Sequence, residues 1–257
     1  MAYDGRSFMG SQRQPGLRTV EGDLIRSLEA IGAMDSPSGS RFKMASRTDR
    51  GVSAMGNVAA FDTEFPREQL LRALNAQTED IQVHSMAVVP EIFSPRRARS
   101  RWYRYTLPSA EADVTRMMDA ASIFRGKHDF SMFCRRDGRV TLRTIHELDT
   151  LPVGDFLVID IRAREFLWNM VRRLVAAIHS VGMGDSTLED IQRALDGDEM
   201  NFGLAPAHNL CLMDVEYSFP FQKECPDTLE RKLRSREERS FIDLGFYRAL
   251  LDMCRED

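Results

Sequence analysis

The stretch Arg47-Thr48-Asp49-Arg50-Gly51-Val52-Ser53-Ala54 places one carboxylate between two guanidinium groups on a turn that contains glycine. Nearby positive charge favours the ionised form of a carboxylate, and hydrogen bonds to that form add to the effect. Asp49 therefore suits the role of a nucleophile or an anchor rather than that of an acid. The alternative is an Asx-type turn, in which the aspartate caps its own backbone and Gly51 supplies a positive φ. These residues alone leave both interpretations open.

Short strands and amphipathic helices are predicted on both sides of this stretch. Thr19 is predicted as the N-cap of one helix and Pro66 as the first residue of another. Their inward faces carry aliphatic residues at helical spacing: Leu24, Leu28 and Ile31 in the first helix, and Leu70, Leu71 and Leu74 in the second. Short β-branched segments predict strands at 57–61 and 81–89. Asp49 is thus expected on a loop that enters a strand.

The second half of the chain predicts a long strand, two helices and a closing strand. Residues 101–107 alternate, so that Trp102, Arg104 and Thr106 face one way while Tyr103, Tyr105 and Leu107 face the other. The apolar run 166–181 predicts a helix that Gly182 ends, and Ser186-x-x-Glu189 predicts a capping box for the next helix. Residues 210–217 predict the closing strand. Strands and helices mixed in both halves indicate an α+β fold.

Composition limits the class of protein. The chain has 257 residues, a net charge of −4 and four scattered cysteines, Cys134, Cys211, Cys225 and Cys254. This length suits one large domain or two fused small ones that need no disulfide or metal. Without a C-x-x-C pair or a signal peptide, the cysteines indicate reduced thiols in a cytoplasmic protein. The longest apolar stretch is far shorter than the roughly 20 residues that cross a bilayer, so no membrane span is expected.

The basic residues are nearly all arginine, and they are clustered. One run comprises Arg96, Arg97, Arg99, Arg101 and Arg104, and another comprises Arg125, Lys127, Arg135, Arg136, Arg139 and Arg143. Guanidinium groups bind phosphate and stack on bases, so these runs and the aromatic residues among them favour RNA binding. The alternative is a solvated, salt-bridged face, but the first run carries no acids at helical i, i+4 spacing.

Segments along almost the whole chain resemble, in order and spacing, the tRNA pseudouridine synthase A family. The stretch at 47–54 resembles the signature loop of that family. Further matching segments are Tyr3-Asp4-Gly5, Phe61-Asp62-Thr63, Arg101-Trp102-Tyr103-Arg104-Tyr105, Gly126-Lys127-His128-Asp129-Phe130, Phe166-Leu167-Trp168-Asn169-Met170-Val171-Arg172 and Ala205-Pro206-Ala207. Ser46, Arg50 and Ser53 depart from the commoner bacterial pattern and are more similar to the archaeal and eukaryotic branch.

The resemblance implies two ferredoxin-like halves that share a mostly antiparallel central sheet, with helices packed on it and a central active-site cleft. The first half would span residues 1–98 and carry the Asp49 loop. The second half would span residues 99–221 and carry the Tyr103 strand and the Arg172 helix. Residues 222–257, rich in charges of both signs, are predicted as an exposed helical extension.

The resemblance also implies an enzyme that isomerises uridine to pseudouridine in the anticodon stem-loop of tRNA, at positions 38, 39 and 40. Asp49 would be the nucleophile or electrostatic catalyst, attacking either the ribose or the base, and Arg172 would pair with it. Tyr103 would stack against the target base, and Arg47 would enter the gap left by the flipped nucleotide. The residues expected to contact the tRNA are Arg50, Arg96, Arg97, Arg99 and Arg101.

No nucleotide-binding glycine loop and no metal-spaced His/Cys set occurs, so neither a cofactor nor a metal is expected. His128 beside Asp129 invites an acid–base interpretation, but a structural turn is preferred. Members of the family work as homodimers, which implies a homodimer here. The alternative functions are an RNA-binding protein or tRNA chaperone on the same scaffold, and a paralogous pseudouridine synthase with a different RNA site. A simple hydrolase is less favoured, because Asp49 has no acid partner or metal set.

Overall fold

The computed structural model describes residues 1–223 and 227–254, in which helices pack on an extended sheet. The strands are β1 (Ala2–Tyr3), β2 (Lys43–Met44), β3 (Ser53–Ala54), β4 (Ala59–Ala60), β5 (Ile81–Gln82), β6 (Ser85–Met86), β7 (Ser100–Pro108), β8 (Gly126–Asp129), β9 (Leu142–Val153), β10 (Phe156–Ala163), β11 (Leu210–Glu216) and β12 (Gln222–Lys223). The helices are α1 (Val20–Ala30), α2 (Arg67–Gln77), α3 (Val114–Ile123), α4 (Met170–Met183), α5 (Leu188–Leu195) and α6 (Asp227–Met253).

Among the described residues, eight strands form one sheet in the order β5-β1-β3-β11-β7-β10-β9-β8. Its neighbouring strands are antiparallel except β3 and β11, which run parallel and pair Ser53 with Cys211. The coarse prediction of a mixed fold with a mostly antiparallel sheet is confirmed. Strand β11 thus lies between β3, which follows the Asp49 loop, and β7, which carries Tyr103.

Strand β7 alternates as predicted. Its buried side carries Arg101, Tyr103, Tyr105 and Leu107, and its more exposed side carries Trp102, Arg104 and Thr106. Strand β10 pairs along almost the whole of β7, and its buried residues extend the same face of the sheet. Helices α3 and α4 pack against each other, with α3 contacting β9 and α4 contacting β7. The core therefore lies between these helices and the sheet face that carries Tyr103.

Helix α1 begins as predicted, because Thr19 Oγ1 accepts from Gly22 N. Helix α4 differs from its prediction at both ends. Asn169 has a left-handed backbone with φ of 63°, so the helix begins at Met170 rather than at Phe166. Gly182 lies buried inside the helix, where a Cβ would be 2.3 Å from Met117 Cγ of α3. Gly184 ends the helix instead, so the prediction for Gly182 is wrong: close helix packing, not termination, requires that glycine.

The predicted strand at 81–89 is interrupted at Val83. The Asn75 side chain accepts from Val83 N at 2.8 Å and donates to Val83 O at 2.7 Å. These two bonds occupy the backbone groups that a strand ladder would use, so β5 and β6 are separate two-residue strands. The strand predicted at 57–61 likewise contracts to β4.

Two helix starts lie one residue from their predicted positions. Pro66 is the N-cap of α2 rather than its first residue. Thr187 and Asp190 form the capping box of α5, while Ser186 Oγ lies 2.7 Å from Ser180 Oγ. Both helices are present, but the capping box predicted at Ser186 and Glu189 is wrong in its residues, because the Ser186 hydroxyl pairs with Ser180 instead.

Helix α6 is exposed along most of its length, but Gln222 and Lys223, at the start of the predicted helical extension, form strand β12 instead. Its first turns contact the body of the protein, where Lys232 donates to Glu79 O and Arg236 lies 3.6 Å from Asp80. Cys225 and the last three residues of the predicted extension lie outside the described residues. Within the described ranges, no helix combines the length and the apolar composition needed to cross a membrane. The division at residues 98 and 99 stays a prediction.

Candidate active site

Asp49 lies between β2 and β3 in a turn that a hydrogen bond from Val52 N to Asp49 O closes at 3.1 Å. Gly51 has φ of 86°, so the turn does require glycine at this position. The Asp49 side chain makes no capping bond to its turn within the described residues and pairs with Arg172 instead. The glycine part of the Asx-turn interpretation therefore holds, but its capping aspartate does not, because the Asp49 carboxylate pairs with Arg172.

Thr48 is fixed by buried hydrogen bonds at its backbone N–H, its backbone carbonyl and its side-chain hydroxyl. Thr48 N donates to Ser11 Oγ at 2.7 Å, and Ser11 N donates to Thr48 O at 3.0 Å. Asn57 Nδ2 donates to Tyr3 Oη, which leaves the Tyr3 hydroxyl proton for Thr48 Oγ1 at 2.9 Å. Buried networks in which every member is paired hold a single geometry. The residue before Asp49 is therefore rigidly placed.

The loop is also packed against two neighbouring segments. A Cβ at Gly5 would lie 2.2 Å from Val52 O, so only glycine allows this approach to the loop. On the other side, a Cβ built at Gly51 would lie 3.5 Å from Ala207 Cβ. Ala207 belongs to the segment that Tyr105 holds by donating to Pro206 O at 3.0 Å. The Asp49 turn therefore lies between the N-terminal segment and the 205–208 segment.

Arg172, in the first turn of α4, is brought to Asp49 by the fold. Its Nη1 lies 3.3 Å from Asp49 Oδ2, and its Nε donates to Ala205 O at 2.8 Å. The Arg172 side chain is 15% exposed and the Asp49 side chain 34%, so the carboxylate faces solvent while the cation is mostly covered. An ion pair of this kind fixes the carboxylate and leaves one side of it accessible to a substrate.

Tyr103 lies on the buried side of β7, with its ring edge-to-face on Phe166 at 5.1 Å between centroids. Burial raises the pKa of Tyr103 well above its usual range, and the charges of Tyr3 and Asp49 add to the rise. The hydroxyl therefore stays protonated at neutral pH and lies within electrostatic range of Asp49. Such a group can donate a hydrogen bond or a proton.

Arg101, which was grouped with the RNA-binding arginines, is 7% exposed. Its guanidinium donates to Ser46 Oγ at 2.9 Å, and to backbone oxygens of Ala45, Arg96 and Arg164 at 3.1, 3.0 and 2.5 Å. The structure thus turns Arg101 inward, where it joins three chain segments, and leaves no exposed donor for phosphate. The alternation of β7 could have predicted this burial, because Arg101 lies on the same side of the strand as Tyr103 and Tyr105.

The other sequence-predicted arginines point to solvent: Arg47, Arg50, Arg96, Arg97 and Arg99. In the described part of the chain, none of these five has a carboxylate within 4.0 Å. Arg6, Arg104 and Arg193 differ, because each pairs with an aspartate. Unpaired, exposed guanidinium groups are available for phosphate.

A groove of about 1270 Å³ lies beside the site rather than at it. Arg97, Trp102 and Phe93 line it, but Asp49, Tyr103 and Arg172 do not. The chemistry-bearing residues therefore lie outside this groove.

His128 is placed away from acid–base use by its contacts. Its Nε2 lies 3.0 Å from Arg125 O, and the neighbouring Asp129 carboxylate accepts from Ser131 N at 3.0 Å. Each side chain orders its own turn at the β8 edge of the sheet, in keeping with the structural interpretation.

Comparisons with known proteins show which family the chain is similar to. The sequence profile of a family described as tRNA pseudouridine synthase matches residues 120–218. A protein from Pyrococcus abyssi named tRNA pseudouridine synthase A is 42% identical over 243 residues, covering 92% of this chain and 91% of the relative. A protein of the same name from Methanococcoides burtonii is 40% identical over 258 residues, covering 98% and 93%. Both relatives support the predicted similarity to the archaeal branch.

Solved structures show a weaker likeness. A structure of an H/ACA RNP bound to a substrate RNA containing 2'-deoxyuridine has a TM-score of 0.36 and 12% identity, covering 69% of this chain and 45% of that chain. A Cbf5-Nop10-Gar1 complex has the same TM-score with 11% identity. A TM-score at this level supports no conclusion about the fold.

Proposed function

This chain belongs to the tRNA pseudouridine synthase A family and is a pseudouridine synthase, and on that premise we propose that its Asp49 site isomerises uridines in the anticodon stem-loop of tRNA. The finer assignment is to positions 38, 39 and 40. That finer assignment rests on the family resemblance, whereas the observation that carries the Asp49 site itself is the Arg172–Asp49 pair at 3.3 Å, formed between the signature loop and a helix more than a hundred residues later.

The reaction breaks the C1′–N1 bond of uridine and joins C1′ to C5 of the same base. It requires an ionised carboxylate, a cation that positions it, a surface that holds the detached uracil, and a way of removing the nucleotide from its stack. We assign Asp49 as the nucleophile, attacking either ribose or base, and Arg172 as its positioning cation. Burial on one side by α4 and exposure on the other suit these roles.

Tyr103 and Arg47 complete the proposed site. The protonated Tyr103 hydroxyl, beside Phe166, suits a residue that contacts the base and assists proton transfer at C5. Arg47 is exposed and has no carboxylate partner in the described residues, as a cation that enters the gap of a flipped nucleotide must be. Arg50, Arg96, Arg97 and Arg99 are proposed to bind the RNA backbone.

Three further features are part of the proposal. The two parts of the sheet on either side of the β3–β11 pair are proposed as the ferredoxin-like halves. A homodimer is proposed from the family resemblance. The placement in the cytoplasm rests on the scattered cysteines and remains a prediction.

The test is pseudouridine mapping of an unmodified tRNA with uridines at 38, 39 and 40, after incubation with the wild type and with Asp49→Asn. We expect conversion by the wild type, none by Asp49→Asn, and equal tRNA affinity for both. Asp198→Asn is the matched control, because this exposed aspartate also pairs with an arginine, at 2.8 Å. Substantial conversion by Asp49→Asn would overturn the assignment of the nucleophile.

The same experiment separates the alternatives. A paralogous synthase would convert a uridine elsewhere in the RNA and would still lose that activity in Asp49→Asn. A tRNA chaperone would bind tightly without converting any uridine. Release of free uracil would indicate a hydrolase.

A further inference from the structure

Trp168 and Trp102 differ sharply in their surroundings, and they are the two tryptophans of the chain. Trp102 has the guanidinium groups of Arg104 and Arg162 over its ring, at 5.3 and 4.3 Å from the centroid, and its Nε1 donates to Asp160 at 2.8 Å. Trp168 is 41% exposed, and its Nε1 has no hydrogen-bond partner among residues 1–223 and 227–254. The Nε1 donor of Trp102 is thus already satisfied by protein, whereas Trp168 leaves both aromatic surface and a donor open.

Trp168 is nevertheless held in place. Arg135 stacks on its ring at 4.0 Å, and Arg135 N donates to Trp168 O at 2.8 Å. Leu167, just before Trp168, and Met170, two residues after it, are buried, and Met170 N donates to Leu167 O at 3.1 Å across the turn at the start of α4. An aromatic ring that is fixed by its backbone and still exposed loses little conformational freedom when a ligand stacks on it.

The charge beside this ring is positive. Arg135 and Arg136 are both exposed, and within the described ranges neither has a carboxylate within 4.0 Å. The acids close by in sequence are engaged elsewhere, because Asp137 pairs with Arg139 at 2.7 Å and Glu165 lies 3.9 Å from Arg143. A fixed ring with two unpaired guanidinium groups has the chemistry that recognises an unstacked base and its phosphate.

Trp168 lies close in the chain to Arg172, the partner of Asp49. Trp168 precedes Arg172 by four residues, a separation that cannot exceed about 14 Å between Cα atoms. Stacked nucleotides in one strand are about 3.4 Å apart, so this distance spans only a few nucleotides. Trp168 and Arg172, the partner of Asp49, therefore lie within a few nucleotide spacings of each other at the start of α4.

We propose that Trp168, with Arg135 and Arg136, is a stacking platform for an unpaired base of the RNA substrate, a few nucleotides from the uridine at Asp49. The proposal rests on the proposed function for the identity of the RNA. It adds a binding site that orients the substrate and takes no part in bond making. Base stacking tolerates any sequence, so the platform would accept different loop bases.

Tryptophan fluorescence tests the contact directly. In a Trp102→Phe, Asp49→Asn protein, Trp168 is the only tryptophan and turnover is blocked. We expect an unmodified anticodon stem-loop RNA to quench the emission of Trp168, with the same saturation curve as RNA binding. Emission that does not change at saturating RNA would overturn the platform.

Affinity gives a second measurement on the otherwise native chain. Trp168→Ala is expected to weaken binding of the stem-loop RNA about 10-fold, the loss typical of one stacked base, while Trp168→Phe keeps most of the affinity. Arg135→Ala is expected to weaken binding, whereas Arg248→Ala, which removes an exposed arginine from α6, is not. Wild-type affinity in Trp168→Ala would also overturn the platform.

The outcomes distinguish this platform from the proposed function. Quenching of Trp168 and weaker binding by Trp168→Ala, together with no pseudouridine formed by the wild type, would support the platform and contradict the function. Pseudouridine formation by the wild type without any quenching of Trp168 emission would support the function and contradict the platform.

Discussion

The Arg101 guanidinium donates to Ser46 Oγ at 2.9 Å, three residues before Asp49. The same group donates to Arg96 O in the arginine-rich segment and to Arg164 O in the segment that leads to α4. One buried cation therefore connects the chain segments that carry Asp49, the exposed arginines and Arg172. This makes Arg101 a positioning residue for the candidate site, acting through backbone rather than through substrate.

We expect Arg101→Lys to lower both the stability and kcat of the enzyme. An ammonium group cannot reach four separated acceptors, and each buried acceptor left unpaired costs about 1–3 kcal/mol. The expected result is a free energy of unfolding lower by at least about 2 kcal/mol, with kcat reduced more than tRNA affinity. Chemical denaturation and single-turnover kinetics measure these effects. Arg99→Lys, at the exposed arginine nearby, is the control, and equal behaviour of the two variants would refute the positioning role.

Arg172→Lys is expected to reduce kcat on the order of 10²-fold, the cost of a small misplacement of a catalytic group. Lysine keeps the positive charge, but a single ammonium cannot keep both the bond to Ala205 O and the pairing with Asp49 that the guanidinium fork provides. The measurement is single-turnover pseudouridine formation at saturating tRNA. Arg173→Lys, one residue later on the same helix, is the control and should turn over like the wild type.

Strand periodicity in the sequence predicts part of the site, but it did not lead to a correct prediction for every residue. Alternation along β7 predicts the face of Tyr103 correctly, because strand periodicity depends only on neighbouring residues. Arg101 was grouped by its charge with exposed arginines, although the same periodicity places it inside. Its four acceptors come from segments distant in sequence, so nothing local shows that a guanidinium can be buried there.

The features that the sequence did not predict depend on tertiary contacts. The Ser11–Thr48 pairing joins residues 37 apart, and the Asn75 side chain interrupts a strand eight residues later. Gly182 looks like a helix terminator in sequence, but its role is set by Met117 of α3. The Asp49–Arg172 pair was expected only from the family resemblance, because charge and spacing alone do not select one arginine among many.

Stability is expected to fall above pH 10. Burial raises the pKa of Tyr3 to about 12, whereas an exposed tyrosine in the unfolded chain ionises near 10. Between these values the unfolded chain binds fewer protons than the native one, so the free energy of unfolding decreases as pH rises. The slope contributed by Tyr3 is of order 1 kcal/mol per pH unit, and below pH 10 it vanishes.

Urea denaturation of the wild type and of Tyr3→Phe between pH 8 and 12 measures this slope. Tyr3→Phe should be less stable at pH 8, because Thr48 and Asn57 lose their partner, yet its decline above pH 10 should be shallower. Parallel curves would show that Tyr3 is not the group responsible.

Replacing Arg97 and Arg99 with alanine is expected to weaken tRNA binding in a salt-dependent way while sparing turnover at saturating tRNA. Both arginines are exposed and have no carboxylate within 4.0 Å in the described part of the chain. Each lost phosphate contact should reduce the slope of log affinity against log salt by about 0.7 to 0.9. Arg6 and Arg193, each paired with an aspartate, are the matched controls. An unchanged slope in the Arg97 and Arg99 variant would place these residues outside the RNA interface.

Gly182→Ala and Gly245→Ala are expected to change stability in opposite directions, although both glycines lie inside helices. Alanine favours a helix over glycine by about 1 kcal/mol, and a Cβ at Gly245 on α6 would meet no atom within 4 Å. At Gly182 the new Cβ would lie 2.3 Å from Met117 Cγ and 3.3 Å from Ala112 Cβ. Overpacking of a closed core costs about 1–3 kcal/mol, which exceeds the gain in helix propensity. Thermal unfolding should therefore show a lower Tm for Gly182→Ala and an unchanged or higher Tm for Gly245→Ala, because Gly182 lies against Met117 of α3 and Gly245 faces open space. A stabilised Gly182→Ala protein would mean that this contact is not as close as described.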